Sequence, residues 1–474
     1  MSNIADLIRT RSEHQAILEA AGQLGHERGS YPYLVGGYVR DLILGRENQD
    51  IDLVVEGDGI AFARALGSCL GVDQVVAFEQ FGTALIPLRG AHVEVATART
   101  ETYDRDSRKP HVVAGSIEVD LARRDFTINA LAASIHPETF GDLIDPFQGI
   151  QDMKRGILRT PLEPDATFSD DPLRMLRAAR FAAQLQYTIT PDCLESITRQ
   201  KERIAIVSWE RITNEIIKLL STDKPSVGFI ILGETGLLVY IFPELEAMSG
   251  VEVRDGRGHK DVFTHTMLVV DNAAVLSPKA ALRFAALLHD IGKPRTKRYD
   301  EQRGWTFHHH EEVGRKMLEE IARRMRLPND LRDYLMKLTR LHLRPIALAM
   351  EGVTDSAVRR LMREAGEDVD DLMILCRADV TTKQEALYAQ YMHNFERVEA
   401  LMADVVLRDE MRAFQSPVRG DEIMAVCGLE PGPMVGKLKM AIEEAILDGQ
   451  IENTHEAALA YLYEIKDEIL SSNQ

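Results

Sequence analysis

The tightest constraint in this 474-residue chain is a short run in which a strand enters two glycines, a helix follows, and two aspartates stand on the next strand. Tyr33-Leu34-Val35 reads as a buried strand leading into Gly36-Gly37, and residues 38–44 read as a helix stopped by Gly45. Adjacent glycines let the backbone approach a ligand closely. The helix N-terminus behind them presents free N–H groups to an anion such as a triphosphate, and Arg40, one turn in, can reach a phosphate. Asp50 and Asp52 lie two apart on a strand, so their carboxylates point to the same side. A divalent cation relieves their repulsion, and two cations would clamp the attacking and leaving oxygens at a phosphate. A third carboxylate is expected from a neighbouring strand, and Glu94 in His92-Val93-Glu94-Val95 is the candidate. A diglycine or an Asp-x-Asp alone is common on surfaces; their order, with Arg40 ten residues before Asp50, makes the combination specific.

Around this core the first 150 or so residues alternate helix and strand. Residues 5–28 carry apolar residues at helical spacing, 60–70 form a helix, and 74–79, 83–88 and 91–97 are short strands. The polar stretch 100–111 is expected to be a mobile loop. From about residue 170 the pattern is almost wholly helical. Residues 254–258 read as a linker, and a further boundary is expected near 385–395.

Two more clusters bear on ligand binding. In Arg123-Arg124-Asp125-Phe126-Thr127-Ile128-Asn129, the apolar residues anchor the segment while Arg124 and Asn129 can face a nucleotide, arginine matching phosphate oxygens with a bidentate fork. In Asp170-Asp171-Pro172-Leu173-Arg174-Met175-Leu176-Arg177, a helix start is expected at the Asp-Pro junction, with Asp171, Arg174 and Arg177 along one stripe. An acceptor beside a donor on a rigid helix can read a base edge. Cytosine and adenine offer an amine next to a ring-nitrogen acceptor; guanine and uracil offer the opposite pattern and would leave charges unpaired, at ~1–3 kcal/mol.

The motifs LVGGYVRDLILG…DIDLVV, DLARRDFTINALA, LIDPFQGIQDMKRGILR and DPLRMLRAARFAAQL together resemble those of the class II tRNA nucleotidyltransferases, the CCA-adding enzymes and the related bacterial poly(A) polymerases. The resemblance is dense over residues 30–220. It implies an α/β head with a polymerase-β-like nucleotidyltransferase fold (1–155), a helical neck that selects the base (156–253), an HD body (254–390) and a helical tail that holds tRNA (391–474). It also implies magnesium at Asp50 and Asp52, and nucleotide contacts from Gly36, Gly37, Arg40, Arg124, Asn129, Asp171, Arg174, Arg177 and Arg180. The activity implied is template-free addition of C, C and A to tRNA from CTP and ATP; addition of A alone and poly(A) synthesis are the alternatives. The family's base-reading motif usually starts Glu-Asp, whereas here it is Asp170-Asp171. The loop at 100–111 resembles one the family needs for the final A. Poly(A) polymerases usually carry a basic C-terminal extension, and the last residues here are not basic, which favours CCA addition.

A further set, His265, His289-Asp290, His310, His342 and Asp379, suits a transition metal. It resembles an HD phosphohydrolase centre with its ligand order intact, implying a second divalent ion (Ni, Co, Mn or Mg) and hydrolysis of phosphomonoesters or 2′,3′-cyclic phosphates. The run His308-His309-His310 alone carries little weight.

The net charge of −18 argues against RNA binding by bulk positive charge and leaves room for a local basic stripe. Four scattered cysteines without a C-x-x-C pair speak against disulfides or a thiolate zinc site. The polar start lacks a signal-peptide core, and no apolar run approaches ~18 residues. A cytoplasmic monomer or dimer, without a membrane span, is therefore expected.

Overall fold

The computed structural model describes residues 2–88, 91–102, 111–254, 257–258, 261–348, 354–413, 416–447 and 450–471. Strands β1 (Pro32–Val35), β2 (Asp50–Val55), β3 (Val76–Phe78), β4 (Thr83–Leu88), β5 (Ala91–Thr97), β6 (Arg99–Thr102), β7 (His111–Ala114), β8 (Ala132–Ser134) and β9 (Leu143–Ile144) build the N-terminal region. Seven of them form one mixed sheet in the order β3-β4-β5-β2-β1-β8-β9. β2 pairs in parallel with β5 and antiparallel with β1.

Leu34, Val35, Ile51, Leu53, Val54, Val55, Val93 and Val95 are almost fully buried. Burial on both faces at 53–55 explains why β2 leaves polar–apolar alternation for a continuous apolar run. The Gly59–Cys69 helix starts where Asp58 accepts the Ala61 N–H at 2.9 Å, and Gly29 and Gly45 close the preceding helices in the left-handed conformation.

The loop expected at 100–111 is strand at its two edges, residues 100–102 and 111. There β6 pairs with β7 from Arg99↔Ala114 to Thr102↔His111, while 103–110 lie outside the described residues. Backbone pairing here overrides a polar sequence. The same correction applies to 254–258, where Val253–Arg254 pairs with Arg257–Gly258.

Beyond residue 160 helices dominate, as expected, with a small hairpin, Arg298–Asp300 against Gly304–Thr306, set among them. The chain folds as two compact units, residues 1–345 with 365–391, and residues 346–364 with 392–474. The boundary expected at 385–395 falls inside the continuous helix Glu385–Ala413; no proline or glycine stands between 385 and 413 to break it. The second unit has its own core of Val418, Ile423, Leu438, Ile442, Ala458 and Leu462, and Arg408 grips Asp355 through Nη1 and Nη2 at 2.6 and 3.1 Å. All four cysteines are free, and no described helix is long and apolar enough to cross a membrane.

Candidate active site

The diglycine turn behaves as its sequence requires at one position. Gly36 has φ 65° and ψ −130°, and a Cβ there would sit 2.6 Å from Arg124 Nη1. Gly37 opens the helix Gly37–Leu44. Both face a cleft of about 470 Å³ that also takes in Arg40, Asp50, Asp52, Arg124, Asn129, Asp171, Arg174, Arg177 and Arg180. Every nucleotide-binding residue expected from the sequence therefore lines one cavity. Counting Arg123, Arg211 and Lys218, eight cationic side chains face the four carboxylates of Asp50, Asp52, Asp125 and Asp171. In a chain of net charge −18, this local excess suits a polyanionic ligand.

Asp50 and Asp52 stand on β2 at the cleft. Parallel pairing sets Asp52 opposite Glu94 on β5. Glu94 does not line the main cleft; it flanks a smaller cavity of about 240 Å³ that shares Asp52 and Arg124. The three carboxylates do not close into a ligand group within 4.8 Å, unlike the two groups of the HD region. Burial pushes the Asp52 carboxyl up to about 6; Glu94 and Asp50 push the same way, and Arg124 and Arg40 offset only part of it. An acidic group made costly to ionise in this way fits a place for a cation.

The arginines are held by a continuous network. Arg40 is buried, donating to both oxygens of Asp41 (2.9 and 2.8 Å) and to Asn129 Oδ1 (2.8 Å). Asn129 donates onward to Asp125 (2.9 Å), which receives Arg177 at 2.6 Å. Burial opposes ionisation of Asp125, yet Arg177 and Asn129 hold its carboxyl well below the usual range. Arg123 and Arg124 share the buried Asp120 (2.6 and 3.0 Å). Arg40, Arg177 and Arg180 all approach the Phe181 ring, at 5.3, 5.2 and 4.0 Å from its centroid.

The base-reading cluster departs from expectation in one respect. Asp171 does not continue the stripe of Arg174 and Arg177. One helix ends at Asp170 and the next begins at Leu173, so Asp171 lies between them in extended conformation. Proline cannot donate in the first turn and disfavours helix at the residue before it. Asp171 instead pairs with Arg211, at 2.6 Å. Arg174 donates to the carbonyls of Thr167 (3.1 Å) and Arg123 (2.5 Å). Arg211, Glu215 and Lys218 escaped the sequence reading. Glu215 is buried and accepts from Arg180 at 2.6 Å. The three fall at i, i+4 and i+7 of the helix Trp209–Leu220, one stripe on the helix.

In the HD region all six expected ligands meet, as two adjacent triads: His265, His289 and Asp379, and Asp290, His310 and His342. Asp290 links them, Oδ2 lying 3.6 and 3.2 Å from His265 and His289, and Oδ1 lying 3.2 and 3.8 Å from His310 and His342. His289, His310 and His342 each turn Nδ1 to a main-chain carbonyl three residues back, at 2.8, 2.8 and 2.6 Å. That arrangement fixes the ring and leaves Nε2 inward, as in metal-binding histidines. His289 Nε2 is buried without an aligned hydrogen bond, although Asp290 and Asp379 lie within 3.4 Å. These residues fit a divalent ion. Gly292 makes the packing possible, since a Cβ there would lie 2.1 Å from the His310 carbonyl oxygen. His308 and His309 are exposed and take no part.

The model of the poly(A) polymerase head domain matches residues 32–159, that of the probable RNA- and SrmB-binding site of polymerase A matches 186–248, and that of the HD domain matches 262–383. The chain is 32% identical over 438 residues to the A-adding tRNA nucleotidyltransferase of Deinococcus radiodurans, covering 90% of this chain and 93% of that one. The chain belongs to the tRNA nucleotidyltransferase family. This nucleotidyltransferase is also 39% identical to the multifunctional CCA protein of Chromobacterium violaceum, over 69% of this chain and 78% of that one. Among solved structures it resembles the Bacillus stearothermophilus CCA-adding enzyme in complex with CTP (25% identity, TM-score 0.58, 97% and 99% coverage). It likewise resembles a tRNA nucleotidyltransferase complexed with a primer tRNA and an incoming ATP analogue (26% identity, TM-score 0.58, 80% and 99% coverage). The head thus has the nucleotidyltransferase fold, followed by a mostly helical portion with an HD domain.

Proposed function

We propose that this nucleotidyltransferase completes tRNA 3′ ends by adding C, C and A from CTP and ATP without a template. The observation that carries the reading is the single cleft in which Asp50 and Asp52 share a wall with the diglycine turn and with Asp171 and Arg174. Gly36, Gly37, Arg40 and Arg124 receive the triphosphate. Asp171 accepts from the exocyclic amine of cytosine or adenine, and Arg174, oriented by two carbonyls, donates to the ring nitrogen. Asp50 and Asp52 would hold magnesium, with Glu94 on the neighbouring strand beside Asp52, and the ion would supply positive charge beside the reacting phosphate. The 3′ oxygen forms a bond to the α-phosphorus as the bond to pyrophosphate breaks.

The test offers tRNA ending before CCA, tRNA ending in CC, and an unrelated RNA, with CTP and ATP separately and together. Three nucleotides added to the first substrate, one to the second and none to the third support the reading. Extension of the CC end alone would assign an A-adding enzyme, and long tails on unrelated RNA a poly(A) polymerase.

A second activity is favoured by the intact HD ligand set. His265, His289, Asp290, His310, His342 and Asp379 would hold one or two divalent ions for hydrolysis of phosphomonoesters or 2′,3′-cyclic phosphates. Phosphate release lost in His289→Ala and kept in Asp50→Ala would support it; no release with any of Ni, Co, Mn or Mg would refute it. The cytoplasm is the proposed location, and residues 391–474 are proposed to hold the tRNA.

A further inference from the structure

We infer that Arg211 is a specificity-determining residue of the nucleotide pocket, acting by fixing which acceptor position of Asp171 is offered to the base. The inference rests on the reading of Asp171 as the base acceptor and goes beyond it by naming what makes that acceptor directional.

Asp171 needs an external hold. It lies in the break between two helices, with φ −138° and ψ 99°, so no helical packing orients its side chain. Arg174, the natural partner on sequence spacing, is committed to the carbonyls of Thr167 and Arg123. The hold comes from the helix Trp209–Leu220, forty residues on. Arg211 Nη2 donates to Asp171 Oδ2 at 2.6 Å and Nη1 to Oδ1 at 3.3 Å, while the Leu173 N–H donates to Oδ1 at 3.2 Å.

The acceptor positions left open on Asp171 decide what it can read. A carboxylate offers about four lone-pair directions, two on each oxygen. Arg211 and Leu173 occupy both on Oδ1 and one on Oδ2, leaving a single acceptor position on Oδ2. One amine N–H of cytosine or adenine fills it. Uracil and guanine bring a carbonyl oxygen to the same place, and two acceptors with no hydrogen between them repel. Without Arg211 only the Leu173 N–H still holds Oδ1, both positions on Oδ2 are open, and this discrimination weakens.

The pair is poorly placed to serve stability instead. The Arg211 side chain is 43% exposed and that of Asp171 20%, the regime in which ion pairs contribute little to folding. The same helix face, through Glu215, also holds Arg180 at 2.6 Å and approaches Arg177 at 3.6 Å. One element thus arranges three of the charged groups around the base.

The experiment measures kcat/KM for CTP, ATP, UTP and GTP on tRNA lacking CCA, with the full-length enzyme and its Arg211→Ala, Arg211→Lys, Asp171→Ala and Asp171→Ala/Arg211→Ala variants. Arg211→Ala is expected to lower the preference for CTP over UTP, and for ATP over GTP, by about tenfold or more. Arg211→Lys, which keeps one donor, should recover part of it. In the Asp171→Ala background, removal of Arg211 should leave the ratios unchanged. A loss shared equally by all four nucleotides overturns the inference, as does an undiminished effect of Arg211→Ala in the double variant. If Asp171→Ala itself leaves the ratios intact, the base-reading assignment falls, and the role of Arg211 with it.

Discussion

Replacing Asp52 by Asn should stabilise the metal-free head while removing its activity. The Asp52 carboxyl is raised from 3.8 to about 6, chiefly by burial, with Glu94 and Asp50 adding to it. A carboxyl raised on folding holds its proton more tightly in the folded chain, so stability falls as pH rises from about 4 to about 6 and is level above that. Keeping such a carboxyl ionised at neutral pH costs the fold about 3 kcal/mol, and partial access to solvent brings the expected penalty to about 2–3 kcal/mol. Asparagine has nearly the same shape and never acquires the charge. In EDTA at pH 8, hydrogen exchange of amides in β2 and β5 should therefore report an opening free energy larger by about 2–3 kcal/mol in Asp52→Asn. The difference should shrink towards pH 4. Saturating magnesium should stabilise the wild-type head and narrow the gap, because a ligand that binds only the folded state adds to stability. Nucleotide incorporation by the variant should be abolished. A difference that is the same at pH 4 and pH 8, or equal stabilisation of both proteins by magnesium, would refute the reasoning.

Asp50→Ala should also abolish incorporation while gel-shift affinity for tRNA persists; retained incorporation would remove the acidic pair from the mechanism. Gly36→Ala places a Cβ 2.6 Å from Arg124 Nη1 at φ 65°, so it should destabilise the head by ~1–2 kcal/mol and raise KM for CTP and ATP at least tenfold, measured by steady-state kinetics. Phe181→Leu removes the ring shared by Arg40, Arg177 and Arg180; isothermal titration should show weaker binding of both CTP and ATP, by ~1–2 kcal/mol, with their ratio unchanged. His289→Ala should lower the divalent metal content of the HD region after reconstitution, read by mass spectrometry, without altering nucleotide addition to tRNA.

The end of the cleft that carries the acidic pair was legible because its residues sit close together in the chain. Gly36, Arg40, Asp50 and Asp52 are linked by one strand–helix–strand passage, and the period of two on β2 is enough to align the carboxylates. The HD ligands were legible for a different reason: the adjacent His289-Asp290 and the spaced histidines form an unusual pattern of residue types, and the helices bring all six together. Two features had only weak local signals. A polar, charged run at 100–111 looks like a loop, yet β6 and β7 form through backbone bonds indifferent to side-chain polarity. The boundary expected at 385–395 agrees with the division between the two compact units at 391/392, and it lies inside one helix because a long helix can pass from one unit to another without any change in its own pattern.

From the sequence alone came the chemistry available: a diglycine turn, an acidic pair, a set of arginines and a histidine–aspartate cluster. The identity of the partners came only from the fold. Asp171 was read with Arg174, three residues away, and is held by Arg211, forty residues away. Glu94 was the expected third carboxylate, and the parallel register of β2 and β5 is what sets it opposite Asp52. Asn129 and Asp125 became links between Arg40 and Arg177. Spacing along the chain determines which side chains can share one face of one element; which oxygen meets which nitrogen across elements depends on how those elements pack, and that is set by the burial of the apolar faces behind them.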